Sequence, residues 1–349
     1  MNFTRTVAYL ILTGVLLILP ALSGCGPGVS GKFTESEVSF QTGDSNLTGN
    51  LTVPEGKGRF PAVIILAGSG PFDRNGDVDS RVVASSVLAG QRVLALGSTY
   101  RDIAEALSRE GFVTLRYDKR GIGNSTGEGG DFPDPSLRDL KAAVAFLKEN
   151  PSVDPQRIAL VGHSIGGLWT LREAAEDPDI TAVCLMATPA RPMGEVIVEQ
   201  IEGLLTLEGA NETDIAASVD AQRAIYAQLR SGELNPAALP EPWRYQLEYI
   251  VAIMDVSGAD YAEEIECTAL IVQGDKDLFT VIPEEAQLLK EAFVEGGNSE
   301  VELVMFADLD HVFRPTPGQP GLELYYEDRG PVSADVVEAI VDWMKSTLR

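Results

Sequence analysis

The sequence predicts one α/β domain with a mainly parallel central sheet, helices on both faces of that sheet and a helical insertion late in the chain. Three observations carry this prediction. An alternating polar and apolar pattern over residues 33–53 indicates an antiparallel hairpin at the start of the domain. From residue 62 onward, compact apolar runs alternate with segments of helical period, which is typical of parallel strands covered on both faces. Between about residues 191 and 264 the apolar positions keep helical spacing, without a strong strand candidate.

Each element follows from its local pattern. The turn of the hairpin falls at Gly43-Asp44-Ser45-Asn46, which are residues that favour turns. The remaining strands are predicted at residues 62–67, 113–117, 158–161, 180–187, 269–272 and 302–306. Helices outside the insertion are predicted at residues 100–109, 136–149, 167–176, 284–294 and 334–347.

We interpret residues 191–264 as a helical cap over the carboxyl edge of the sheet, where open α/β folds place their sites; a packing appendage with no gating role is the alternative. Its helices are predicted around residues 196–207, 215–229 and 245–254. The aromatic residues Trp243, Tyr245 and Tyr249 are interpreted as part of the core of this cap.

Charge excludes some partners without identifying a substrate. The 349 residues include 27 Lys and Arg against 52 Asp and Glu, which gives a net charge of −25. Such a polyanion repels nucleic acids and anionic lipid surfaces, so we expect no nucleic-acid partner.

The N-terminus differs from the rest of the chain. Its apolar run over residues 7–22 is short for a membrane span and is interrupted by Pro20, which favours a secretory signal. The sequence Leu22-Ser23-Gly24-Cys25 resembles the lipobox of prokaryotic lipoproteins, which are cleaved before the cysteine and lipidated on it. We expect a signal peptide over residues 1–24 and a lipidated Cys25 with a tether to residue 32; an ordinary signal peptide or a short anchor is the alternative. The protein would then be exported and attached to the membrane by its lipid.

Two cysteines remain. Cys184 lies inside the apolar run of one predicted strand, and Cys267 opens the apolar run of a neighbouring predicted strand. We expect two buried free thiols, although an exported protein could also form a disulfide. Their spacing offers no cluster of metal ligands, and no metal is expected.

The sequence Gly162-His163-Ser164-Ile165-Gly166 lies between a predicted strand and a predicted helix. A serine at the apex of such a sharp turn is exposed for nucleophilic attack, and small residues two before and two after it avoid backbone clashes. Ser164 is therefore the candidate nucleophile; a purely structural turn is the alternative.

The candidate base is His311. A serine hydroxyl needs a base to accept its proton, and the chain contains only two histidines. His163 is adjacent to Ser164 in the turn, so its side chain should point away from the hydroxyl. His311 follows the last predicted strand within acidic neighbours, and the alternative reading is a solvated loop histidine.

Backbone amides should stabilise the oxyanion. One donor is the N–H of Ile165, directly after the nucleophile. The second should come from Gly68-Ser69-Gly70, which follows the strand at residues 62–67 and lets the backbone approach a substrate. We choose the N–H of Ser69.

Together these motifs make the chain resemble the α/β-hydrolase superfamily over about residues 33–349. It is most similar to bacterial esterases of the group that includes serine aminopeptidase-like and dienelactone-hydrolase-like proteins. The segments that carry the resemblance are A-G-S-G-P-F-D-R at 67–74, R-Y-D-K-R-G at 116–121, G-H-S-I-G-G at 162–167, G-D-K-D at 274–277 and L-D-H-V-F at 309–313. One departure is Ala67, where many relatives have a histidine that supports the loop.

The sequence identifies the acid of the triad less directly than the nucleophile or the base. Asp275 and Asp277 both follow a predicted strand, and the residues alone leave either able to orient His311. In the relatives the acid often occupies the last position of G-x-x-D, so the resemblance favours Asp277.

The resemblance implies an α/β-hydrolase fold and hydrolysis of a carboxylic ester through an acyl-enzyme, without a cofactor. A small-molecule ester or acyl compound is the expected substrate. Thioesterase, peptidase or amidase, and acyltransferase activities use the same triad and are the alternatives. A non-catalytic binding lipoprotein on a hydrolase scaffold is the alternative from another class.

Overall fold

The computed structural model describes residues 31–79, 97–241, 243–278, 280–316, 318 and 330–349. The predicted signal peptide and Cys25 lie outside these residues. Within the described ranges, no helix combines the length and the apolar character that crossing a membrane requires.

The described strands and helices follow the predicted alternation. The strands are β1 (Phe33–Thr42), β2 (Ser45–Pro54), β3 (Phe60–Leu66), β4 (Val113–Tyr117), β5 (Val153–His163), β6 (Ile180–Met186), β7 (Thr268–Gly274) and β8 (Val301–Phe306). The α-helices are α1 (Thr99–Arg109), α2 (Pro133–Glu149), α3 (Ile165–Glu176), α4 (Met193–Leu207), α5 (Glu212–Ser231), α6 (Trp243–Ile253), α7 (Gly258–Ala262), α8 (Pro283–Glu295) and α9 (Ala334–Leu348). A short 3₁₀ turn at Pro236–Ala238 lies between α5 and α6.

The described strands form one sheet in the order β1-β2-β4-β3-β5-β6-β7-β8. The hairpin β1–β2 and its junction with β4 are antiparallel, and every pairing from β4 through β8 is parallel. The predicted fold class is therefore confirmed. Because Leu66 pairs with Gly162 and Gly274 with Phe306, the loops after β3, β5, β7 and β8 leave the same edge of the sheet.

Alternation along each central strand divides the core between two faces. In β3, Ile64 packs with the helices α2, α3 and α8, whereas Val63 and Ile65 pack with α1 and α9. Since successive side chains of a strand point to opposite faces, a strand covered on both sides must be apolar throughout. The solid apolar runs in the sequence are thus explained by the two helical layers.

The segment between β6 and β7 consists of helices α4 to α7, with a small apolar core of its own around Val219 and Tyr226. The start of this insertion is held by Glu285 of α8, whose side chain is fully buried. The carboxylate of Glu285 accepts the backbone N–H groups of Ala190 and Arg191 at 2.6 and 2.9 Å. Hydrogen bonds to an ionised acceptor are among the stronger ones in proteins, so this contact attaches the insertion to the main domain.

One prediction about this insertion is wrong. Trp243 is 61% exposed and Tyr245 is 47% exposed, so neither belongs to a cap core. Tyr245 and the half-buried Tyr249 instead contact Phe132 at the start of α2, with ring centroids 5.2 and 5.5 Å apart. The face of α6 away from Tyr245 packs against the rest of the insertion, and this packing accounts for its helical period. An amphipathic pattern does not reveal which aromatic residues face solvent, so the sequence could not place Trp243.

Cys184 and Cys267 are both free, as expected. Cys184 is buried in β6, but Cys267 precedes β7 and is only half-buried, which corrects the prediction that both are buried. Burial raises the pKa of the Cys267 thiol to about 11, so the thiol keeps its proton at neutral pH.

Candidate active site

Ser164 occupies the sharp turn between β5 and α3, with a φ of 55° and a ψ of −127°. A non-glycine residue rarely adopts a positive φ, and such strain persists only where the surroundings enforce it. Packing around the turn provides that enforcement. A Cβ atom at Gly162 would lie 2.5 Å from the Gly166 carbonyl oxygen, and one at Gly166 would lie 2.6 Å from that of Ala67. Glycine is therefore required at both positions.

His311 and Asp277 lie in hydrogen-bond contact after β8 and β7. The Nδ1 atom of His311 is 2.6 Å from Oδ2 of Asp277, and both side chains are buried. Because a carboxylate can only accept, Nδ1 carries the proton, and the neutral ring keeps a lone pair on Nε2. This tautomer is the one that a general base needs.

The surroundings of Asp277 stabilise its charge. Its Oδ1 accepts the backbone N–H groups of Thr280 and Val281 at 3.2 and 3.1 Å, and Gln273 donates to its Oδ2 at 3.4 Å. A buried carboxylate with several donors avoids most of its desolvation penalty. Asp275 accepts the backbone N–H of Asp308 at 2.7 Å, and within the described ranges its carboxylate forms no hydrogen bond with His311. Of the two candidate acids, the structure brings Asp277 to the histidine.

Ser164 and His311 belong to adjacent loops at one edge of the sheet. The two loops are joined by His163, the residue before Ser164, whose Nε2 lies 2.9 Å from the backbone oxygen of His311. Within the described residues, Ser164 Oγ and the His311 ring form no hydrogen bond with each other. Catalytic hydrogen bonds in unliganded enzymes are often long and tighten only when substrate binds.

The loop of residues 68–70 lies directly beside the nucleophile. A Cβ atom at Gly68 would be only 3.2 Å from the Cβ atom of Ser164. In this loop the N–H of Gly68 donates to the Tyr100 hydroxyl at 3.0 Å, and that of Gly70 donates to Asp131 at 3.4 Å. The N–H groups of Ser69 and Ile165 have no hydrogen-bond partner in the described part of the chain. Neither N–H is therefore committed to another group of the described residues.

Tyr100 and His163 form a buried pair that sequence reasoning did not assign. The Tyr100 hydroxyl lies 2.9 Å from Nδ1 of His163. Burial, followed by the neighbouring His311, lowers the pKa of His163 to about 3, so its ring is neutral at ordinary pH. The backbone oxygen of His311 can only accept, so Nε2 of His163 carries the ring proton. Nδ1 is then unprotonated and accepts a hydrogen bond from the Tyr100 hydroxyl. In the described part of the chain the His163 ring forms no hydrogen bond with the Ser164 hydroxyl, because its two nitrogens bind Tyr100 and the His311 backbone.

Lys119 also reaches the loop of residues 68–70. Its ammonium group donates to the backbone oxygens of Gly68 and Gly70, each at 2.8 Å, and pairs with Asp131 at 2.5 Å. The segment Asp118-Lys119-Arg120-Gly121 follows β4, which is the neighbour of β3 in the sheet. That adjacency belongs to the folded sheet, so no local sequence pattern identified Lys119.

No metal site is evident in the described ranges, because nowhere there do three His, Cys, Asp or Glu side chains converge suitably. A cavity of about 430 Å³ lies between α4 and α5 in the insertion. Its lining includes Arg191, Glu199 and Tyr226, but none of Ser164, Asp277 and His311. The three candidate residues therefore lie at the sheet edge and do not line this cavity.

The class of protein follows from fold and site together. The profile of the serine aminopeptidase (S33) family matches residues 93–313, which is more than half of the chain. The chain belongs to this family, and thus to the esterase, aminopeptidase and dienelactone-hydrolase group of the α/β-hydrolases.

Individual relatives agree with this class. The chain is 28% identical over 322 residues to Esterase EstD of Thermotoga maritima, covering 89% of this chain and 68% of that protein. An esterase structure from Pyrococcus furiosus matches with a TM-score of 0.53 at 21% identity, covering 91% of this chain and 92% of the other. A dienelactone hydrolase from Anabaena variabilis matches with a TM-score of 0.51 at 16% identity, covering 91% and 99% of the two chains. The structural matches show the α/β-hydrolase fold, and the family and EstD support a hydrolase.

Proposed function

We propose that the chain is a serine hydrolase that cleaves carboxylic esters of small molecules through an acyl-enzyme on Ser164. The observation that carries this proposal is the buried hydrogen bond from His311 to Asp277 beside a strained serine turn. In that arrangement the histidine has the tautomer of a base, and the half-buried serine stands at the apex of the turn, which is the position of a nucleophile.

The chemistry proceeds in two halves. Ser164 Oγ attacks the acyl carbon while Nε2 of His311 accepts its proton, and Asp277 stabilises the imidazolium that forms. The carbonyl oxygen becomes an oxyanion between the N–H groups of Ser69 and Ile165. His311 then donates its proton to the departing alcohol, and water attacks the acyl-enzyme with His311 again as the base. The bond from the acyl carbon to Ser164 Oγ breaks, His311 returns the proton to Oγ, and the carboxylic acid leaves.

The oxyanion donors account for a large part of the expected rate. Removing one such donor from a hydrolase costs on the order of 10²- to 10³-fold in kcat, because preorganised dipoles act on charge that develops only in the transition state. Ile165 opens α3, so the N-terminal end of that helix adds its own positive potential at this point.

Ester hydrolysis ranks first among the reactions that this triad can perform. The matched relatives from Thermotoga and Pyrococcus are named esterases. The family description names an aminopeptidase, which supports amide cleavage as the second candidate.

A panel of model substrates tests the proposal. We expect p-nitrophenyl esters of increasing acyl length to be hydrolysed, and an anilide and a thioester of matched acyl group to react more slowly. Ser164→Ala should lose ester turnover while retaining the circular dichroism of the parent. Turnover of the anilide or thioester without the ester would move the assignment to a peptidase or thioesterase. A folded protein that hydrolyses none of them would favour a binding lipoprotein.

Export and lipid attachment are a second part of the proposal. The support is the sequence of the N-terminus, where an apolar run ends in Leu22-Ser23-Gly24-Cys25. A lipid on Cys25 would tether the hydrolase to the outer side of the cytoplasmic membrane or to another extracytoplasmic membrane surface.

A further inference from the structure

We propose that Lys119 and the Tyr100–His163 pair are positioning residues that fix the peptide between Gly68 and Ser69 in the orientation of an oxyanion donor. The proposal rests on the proposed function, because it concerns how the N–H of Ser69 comes to face the reacting carbonyl. These three side chains come from β4, α1 and β5 or the loops that follow them, and none belongs to the triad.

The Lys119 contact determines the direction of the Ser69 N–H. In a trans peptide the carbonyl and the N–H of the same unit point in opposite directions. The ammonium group of Lys119 binds the Gly68 carbonyl at 2.8 Å, so the N–H of Ser69 is directed to the other side of that peptide. A cation on the carbonyl oxygen also withdraws electron density from the unit and makes the N–H a better donor.

Lys119 is itself fixed. Its second bond, to the Gly70 oxygen at 2.8 Å, prevents the loop from rotating about the first contact. Asp131 neutralises the ammonium group and accepts the Gly70 N–H, so the loop and its two charged neighbours form a closed set of hydrogen bonds. The Lys119 side chain is only 13% exposed, which limits competition from water.

The Tyr100–His163 pair fixes the preceding peptide and connects it to the base. Hydrogen bonds run from the Gly68 N–H to Tyr100 at 3.0 Å, from Tyr100 to His163 at 2.9 Å, and from His163 to the His311 backbone at 2.9 Å. Burial raises the pKa of the Tyr100 phenol, so the hydroxyl keeps the proton that it donates. This series of hydrogen bonds thus joins the loop after β3, the serine turn and the loop after β8. Each of these three segments carries a reacting or stabilising group.

Two substitutions test this role. Lys119→Met removes the cation with little change in side-chain length, and Tyr100→Phe removes one oxygen atom. Each should lower kcat for a model ester by about tenfold or more while KM changes by less than about threefold, because the donor acts mainly on the transition state. A boronic acid inhibitor, whose tetrahedral adduct places an oxygen among the donors, should bind more weakly by a similar factor.

Matched controls separate positioning from general stability. Lys141→Met removes a lysine that pairs with Glu176 on the surface at 2.6 Å, and Tyr261→Phe alters a tyrosine packed against the main core on α7. Both controls should keep the kcat and the boronate affinity of the parent. Thermal unfolding of all four variants shows whether a loss of kcat merely follows a loss of stability.

The outcomes are distinct. Suppose that the parent hydrolyses esters. The proposal is then overturned if Tyr100→Phe keeps the parental kcat and boronate affinity and Lys119→Met, where it folds, does the same. It is equally overturned if kcat falls only in proportion to the folded fraction. If Lys119→Met does not fold, Tyr100→Phe decides alone. Absence of ester hydrolysis by the folded parent would instead contradict the proposed function.

Discussion

At the scale of single residues, Asp277 shows how a buried charge is tolerated. It is fully buried in the core of the site, yet its carboxylate receives two backbone N–H groups, a glutamine amide and the His311 ring. Such a set of donors replaces the hydrogen bonds to water that a buried carboxylate loses. Asp275, two residues earlier, is half-buried and serves the backbone of the following loop.

Asp277→Asn should therefore cost far more activity than Asp275→Asn. An asparagine at 277 can present an N–H to His311 and favour the wrong tautomer, so we expect kcat to fall by about a thousandfold or more. An asparagine at 275 keeps an acceptor oxygen for the Asp308 N–H, and we expect a loss below about tenfold. Initial rates on one model ester measure both effects.

Protein folded to the parental circular dichroism is the control for each variant. If Asp275→Asn were the more damaging of the two, the acid would be Asp275 and the tautomer argument for His311 would fail.

Protonation of His311 should also control activity. His163 is neutral down to about pH 3 because burial lowers its pKa, so its titration does not fall in the working range. Only a neutral His311 can accept the serine proton, and we therefore expect kcat/KM for an ester to fall as the solution is acidified. A pH profile of initial rates measures this fall. Activity that does not fall on acidification, in protein that stays folded, would contradict the role of His311.

At the scale of elements, the helix α3 carries a buried carboxylate with no partner for one of its oxygens. Glu173 is 2% exposed, and its Oε2 has no hydrogen-bond partner. Burial, partly offset by Lys141, raises the pKa of this carboxyl from 4.5 to about 7. The folded state therefore binds a proton that the unfolded state has already released near neutral pH.

This shift predicts how stability varies with pH. A folded-state pKa above the unfolded value contributes stability below pH 4.5 that is lost as the pH rises through about 7. From this residue alone, the free energy of unfolding should fall by about 2 kcal/mol between pH 5 and pH 8. Glu173→Gln should remove that fall, as measured by urea denaturation of parent and variant at the two pH values.

Glu176 on the same helix is the matched control. Its hydrogen bond with Lys141 lowers the pKa of the Glu176 carboxyl, so this group is ionised in both states from pH 5 to pH 8. Glu176→Gln should change stability by the same amount at both values. Equal pH dependence in the parent and in Glu173→Gln would show that the buried carboxyl does not carry the effect.

At the scale of the whole molecule, the sequence predicts the framework better than the supports of the site. Every predicted strand of the parallel sheet is present, because a strand covered on both faces must be apolar and so is visible locally. Ser164 and His311 were identifiable from a short motif and from the scarcity of histidine. These signals are local or compositional.

The supporting residues were not identifiable in this way. Tyr100 acts through its contact with Gly68, and Lys119 through contacts with Gly68 and Gly70, all across gaps of more than thirty residues. Such contacts exist only after α1 and β4 pack against β3. Ala67 replaces the histidine expected before Gly68, and in this chain Tyr100 and Lys119 bond to the loop. The exposure of Trp243 was missed for a similar reason, since a helical period does not indicate which face is covered.

Lipid attachment is a prediction for the full-length chain in a bacterial host. We expect radiolabelled palmitate to be incorporated and the protein to partition into the detergent phase of Triton X-114, whereas Cys25→Ser should do neither. Cys267→Ser, which changes a half-buried thiol of the domain, is the control and should behave as the parent. Equal partitioning of parent and Cys25→Ser would contradict the lipid tether.

The central claim is that Ser164 is an activated nucleophile. A fluorophosphonate probe tests it most directly, because the serine oxygen displaces fluoride from phosphorus only when a base and oxyanion donors assist. Mass spectrometry of the folded protein should show one adduct, located on Ser164, and none in Ser164→Ala. No adduct on the folded parent, or equal labelling of Ser164→Ala, would contradict the mechanism proposed for this hydrolase.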